Sequence, residues 1–159
     1  MRLSKNFTLS EITRSSTAKR KGIDNTPSDK HLQNLQLLIT NLIQPIRDEL
    51  GPIRVTSGYR SPRLNRSIGG SKKSQHCKGQ ALDLQFWQDG RMVNKKVYDF
   101  IINSDLKFDQ MINEFDFSWI HLSYNHKHNR GVIVEAYKDE DGDTAYRYAP
   151  DINILWVNY

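Results

Sequence analysis

Cysteine is nearly missing from this sequence. Cys77 is the only one, so no intrachain disulfide can brace the fold. No run of apolar residues reaches the ~18 needed to cross a bilayer, which excludes a membrane-spanning helix and leaves no expected membrane partner. The opening MRLSKNFTLS has no apolar stretch of the secretory kind. The chain is therefore expected to be cytoplasmic on synthesis. Internal repeats and low-complexity tracts are also lacking. The remaining composition, 37% hydrophobic and 26% charged, is that of a globular protein. Its 159 residues suit a single domain over 1–159 with a core of its own.

Positive charge is in excess, with a net charge of +5. It concentrates between Arg14 and Lys21 and between Arg54 and Lys78. A basic surface suits a polyanion, either nucleic acid or an anionic cell wall. No recognition-helix or aromatic-platform pattern accompanies it, so nucleic acid is not expected as a partner.

Thr8-Leu9-Ser10-Glu11 has capping-box spacing and predicts a short helix, followed by a polar loop over Arg20 to Asn25. Thr26-Pro27-Ser28-Asp29 predicts a second helix start, with proline in the first turn. Leu32, Leu35, Ile39, Leu42, Ile43 and Ile46 then recur at helical spacing up to Gly51. Pro45 is expected to kink this helix or lock its last turn. Beyond Gly51 the pattern predicts a strand at 53–56, helical turns at 62–68, a strand at 80–85 and a helix at 93–102. Hairpins are expected at 108–124 and 131–148. Helices first and strands later indicate an α+β fold. Asp139 to Asp143 lacks the twelve-residue spacing and terminal glutamate of a calcium loop.

Five histidines are candidate ligands: His31, His76, His121, His126 and His128. His31 falls on the polar side of the long helix, and His126 and His128 lie in a polar run that reads as an exposed loop. His76 and His121 differ because of their neighbours. In Gln80-Ala81-Leu82-Asp83-Leu84, alternation sends both leucines to the core and leaves Ala81 and Asp83 on the opposite face. In Trp119-Ile120-His121-Leu122-Ser123, Ile120 and Leu122 take the core face, and His121 goes to the other. A histidine and a carboxylate, on outward faces of two strands, are compatible with a metal site.

The local words carry more. Ser74, His76, Gly79, Ala81 and Asp83 resemble the Ser-x-His-x-x-Gly-x-Ala-x-Asp motif of zinc D-Ala-D-Ala carboxypeptidases, the family (peptidase M15) that includes phage L-alanyl-D-glutamate endolysins. Ser57-Gly58-Tyr59-Arg60-Ser61-Pro62 looks like that family's substrate-binding segment, and Trp119-Ile120-His121 like its last zinc-ligand segment. The resemblance covers about residues 28 to 124, between an N-terminal helix and loop (1–27) and a C-terminal hairpin and tail (125–159). It implies a hedgehog/DD-peptidase-like fold, an antiparallel sheet carrying one zinc ion with helices on the other face. It implies His76, Asp83 and His121 as zinc ligands, Arg60 on a substrate carboxylate, and Ser74 contacting substrate or orienting its loop. Cys77 falls on a variable motif position with no evident base. The implied activity is metallopeptidase hydrolysis of peptidoglycan stem peptides by a zinc-bound water, in a monomer that reaches the cell wall after release if it is a phage lysin.

One position departs from the pattern. Many family members have an acid three residues before the last histidine, and this chain has Ser118. A two-residue hairpin loop at Phe117-Ser118 puts Glu114 directly opposite His121, which nominates Glu114 as general base. Asp116, on the same face and nearer the turn, is the second candidate. The missing acid also leaves open a non-catalytic wall-binding module with a structural zinc.

Overall fold

Hydroxyls start most of the helices. Thr8, Ser15, Ser28 and Ser61 each accept a backbone amide hydrogen bond at the N-termini of α1 (Leu9–Thr13), α2 (Ser16–Lys21), α3 (Asp29–Leu38) and α5 (Pro62–Ser67). These belong to a computed structural model that describes residues 1–149. α2 enters the stretch expected as a polar loop and ends at Gly22, whose φ of 58° suits glycine. Pro27 stands before the cap Ser28, so it precedes the first turn of α3 and does not form part of it.

The long helix is interrupted for a physical reason. Pro45 has no amide hydrogen, so it cannot bond the carbonyl four residues back, and its ring crowds that carbonyl. The chain widens into a π-helical stretch, Ile39–Ile43, before α4 (Gln44–Leu50), with the Gln44 amide bonding the Ile39 carbonyl. The buried column survives the change. Leu35, Leu38, Ile39, Leu42, Ile43 and Ile46 are all fully buried. Each contributes roughly 1.5–3 kcal/mol relative to an exposed side chain.

A seven-stranded sheet follows. Its strands are β1 (Ile53–Ser57), β2 (Ala81–Gln88), β3 (Arg91–Met92), β4 (Gln110–Glu114), β5 (Trp119–Ser123), β6 (Val132–Lys138) and β7 (Thr144–Tyr148). The order is β1-β2-β5-β4-β6-β7, with β3 on the end of β2, and α6 (Asn94–Ile102) links β3 to β4. An all-antiparallel sheet does not form, because β4 and β6 are parallel. β5 turns inward beside β2, which leaves the other edge of β4 open. The chain then crosses over and enters that edge running with β4.

One face of the sheet packs on the helices through Leu82, Leu84, Met111, Ile120 and Leu122. The opposite face carries Asp83, His121, Ile112 and Glu114, with a small apolar group of Ile112, Val134 and Ala136 beyond them. The fold is thus α+β, with the candidate ligands on the face away from the main core. No helix among the described residues is long and apolar enough to cross a membrane. The expected C-terminal tail, from residue 150 on, lies outside the described residues.

Candidate metal centre

Three side chains from separate segments converge. His76 sits in a 3₁₀ turn, Gln75–Lys78, between Ser74 and Gly79. Gly79 has a φ of 68°, and a Cβ there would collide with the His31 carbonyl, so only glycine fits this close approach. Asp83 and His121 are direct partners across β2 and β5. Asp83 Oδ1 lies 3.2 Å from His76 Nε2 and 2.9 Å from His121 Nδ1. All three ligand atoms lie within 4.8 Å of one another, and all three residues are buried. Donors ~2.0–2.1 Å from a tetrahedral ion stand ~3.3 Å apart, so the two spacings around Asp83 are close to those of ligands that share one cation. Two imidazoles and a carboxylate are also a donor set that zinc favours. No other such cluster occurs among the described residues.

Neighbouring groups prepare the ligands. The Gly58 carbonyl accepts the other ring nitrogen of His76, Nδ1, at 2.8 Å, which leaves Nε2 facing Asp83. Such a partner fixes ring and tautomer in metal sites. Burial pushes the His76 pKa down against the pull of Asp83, so the ring favours the neutral form that binds a metal. Burial opposes ionisation of Asp83, but the two histidines outweigh it and hold the carboxyl well below the usual range.

Arg60 lies against this carboxylate. Its Nη2 bonds Asp83 Oδ2 at 2.9 Å and its Nε bonds Ser57 Oγ at 2.9 Å. A register shift between Val55 and Ser57 turns Ser57 opposite Asp83. Arg60 is therefore a half-buried cleft residue bound to a candidate ligand and not a partner in a surface ion pair. Ser74 also lines the cleft.

Glu114 is buried on the same face as His121. Their direct pairing is not observed: Glu114 faces Trp119, and Ile112 faces His121. The turn spans Phe115 to Ser118, with its centre one residue earlier than expected. That moves the register by two and preserves the face, so Glu114 is diagonal to His121. Burial raises the Glu114 carboxyl above its ordinary 4.5, with Asp83 adding to the rise and His121 opposing it. Asp116 does not join the face. It is exposed in the turn at a φ of 54° and is not part of the cleft lining.

The other histidines stay apart. His126 and His128 are exposed, and His31 Nδ1 is 3.1 Å from the Tyr59 hydroxyl. Burial raises the Cys77 thiol pKa, which disfavours a thiolate there. Sequence reasoning missed Asp109, which is buried and accepts from Gln75 at 2.9 Å and from Arg130 at 2.8 and 2.7 Å. This anchors the residue before His76, and the only local signal was Gln75's place inside the motif. The cleft beside the metal ligands has a volume of about 860 Å³ and extends to β6 and β7.

A buried His-Asp-His cluster with a carboxylate alongside forms a candidate metal centre beside a cleft. The chain belongs to the peptidase M15 family, whose model matches residues 5–123. By family it is a metallopeptidase, of a kind typically zinc-dependent. We found no match among curated proteins.

Proposed function

We propose that the protein hydrolyses a peptide bond of peptidoglycan stem peptides, with one zinc ion held by His76, Asp83 and His121. The observation that carries this reading is the Glu114 carboxyl on the same sheet face as the His-Asp-His cluster. Zinc at that position would lower the pKa of a bound water and polarise the substrate carbonyl. Glu114 takes a proton from the attacking water and returns it to the leaving amine. Its raised pKa brings it closer to the operating range of a general base. Arg60 holds a substrate carboxylate while it steadies Asp83, since a guanidinium fork offers donors on several sides. Ser74 contacts the peptide at the cleft edge. Basic residues such as Lys73 help retain the protein on an anionic wall, as suits a phage-type lysin.

The test is a pair of variants assayed on purified muropeptides, with products read by mass spectrometry. His121→Ala is expected to lose both zinc and hydrolysis. Full hydrolysis by that variant would overturn the ligand assignment. Ser118, at the family's acid position, favours the second reading, a wall-binding module with structural zinc. Glu114→Gln separates the two, because a binding module would be indifferent to it.

A further inference from the structure

The cleft continues past the metal centre onto a hairpin outside the family match. Strand register defines its surface. His121 pairs with Ile112, Ile112 with Val134, and Val134 with Tyr148, so these side chains share one face. In the adjacent row, Trp119, Glu114, Ala136 and Tyr146 are partners in the same way. At ~4.8 Å per strand, Tyr148 stands three strands, or ~14 Å, from His121. Ala136 presents only a methyl group between Glu114 and Tyr146.

The two tyrosines are 59% and 77% exposed, although both line the cleft. Beside them on the same face, Ile112 and Val134 are already buried. The result is an open aromatic shelf along the cleft. An aliphatic side chain would be poorly covered there, because apolar ligands need concave sites. A ring with an apolar face and polar edges fits better. Its face can lie on the phenol rings while its hydroxyls stay in water or meet the tyrosine hydroxyls. Lys73 on the same cleft suits a negative substituent on such a ring.

We infer that Tyr146 and Tyr148 form a carbohydrate subsite for the pyranose ring to which the stem peptide is attached. The inference rests on the peptidase reading above. The ~14 Å separation is the length of about four extended residues, within reach of a short peptide arm joining ring and scissile bond.

The test compares a disaccharide-linked stem peptide with the same peptide lacking sugar. Wild type is expected to show a kcat/KM ratio of about 10 in favour of the linked substrate, the size of one ~1.4 kcal/mol contact. In Tyr146→Ala/Tyr148→Ala the ratio should fall toward one, carried mainly by KM, and zinc content should be unchanged. Tyr146→Phe/Tyr148→Phe should keep most of the preference, because the rings remain. Equal ratios in wild type, or a preference that survives the double alanine variant, would overturn the subsite. So would phenylalanine variants as impaired as the alanine ones. Binding of the peptide-free disaccharide, followed by NMR, separates this idea from the parent reading. Binding lost in the alanine variant, without hydrolysis of either substrate, would keep the shelf and reject the peptidase. No binding and no preference would reject the shelf alone.

Discussion

Glu114 and Asp83 are carboxylates on one sheet face, yet their surroundings push them in opposite directions. Asp83 has Arg60 and two histidines within hydrogen-bonding distance and stays ionised. Glu114 is raised chiefly by burial. One is suited to hold a cation and the other to move a proton. Glu114 must be ionised to accept a proton, so kcat/KM should show an acid limb set by this carboxyl. Glu114→Gln should reduce kcat by ~10²–10⁴ and remove that limb while retaining zinc. A pH-rate profile with a metal assay checks both, and an unchanged limb would point to another base.

The turn between β4 and β5 shows how an element can set a site. Phe115, Asp116 and Phe117 have φ values of 49°, 54° and 60°, a left-handed run without glycine. Such residues cost roughly 1–2 kcal/mol each, so the surroundings must hold them. Asn94 bonds the Phe117 carbonyl at 2.7 Å, Asn113 accepts the Phe117 amide at 2.6 Å, and Tyr98 packs edge-on against the Phe117 ring. The held turn decides which residue of β4 meets His121. Asp116 itself is exposed, and glycine would relieve its backbone. Asp116→Gly is expected to gain up to about 1 kcal/mol in urea unfolding and to keep hydrolysis. Loss of turnover with zinc retained would restore Asp116 as the candidate base.

Over the whole molecule, Asp109 joins parts far apart in the chain. It links Gln75, beside the metal loop, to Arg130, at the entry to β6. Burial opposes its ionisation, but Arg130 and Gln75 prevail and hold the carboxyl below 3.8. A depressed folded-state pKa means that its contribution is present above pH 3.8 and is lost as pH falls through the folded value. Asp109→Asn should therefore cost on the order of 1–3 kcal/mol near neutrality. Urea unfolding near neutral and near acid pH should show a smaller pH dependence in the variant. An identical dependence would mean that the pair contributes nothing.

Local pattern was enough for much of this protein. Helical spacing marked the buried column from Leu35 to Ile46, and alternation put Asp83 and His121 on the outward face. The motif around His76 named its partners before any fold was known, and parity alone placed Glu114 on the right side of the sheet. Other features depended on contacts between distant segments. The two-residue slip of the β4–β5 register follows from side chains that hold a left-handed turn, one of them Asn94 of α6. The parallel β4–β6 pairing needs a free edge that exists only after β5 has docked on β2. Backbone periodicity is a property of neighbours along the chain, whereas register, sheet order and the reach of Tyr146 and Tyr148 toward the metal ligands arise only when separate strands compete for the same edge.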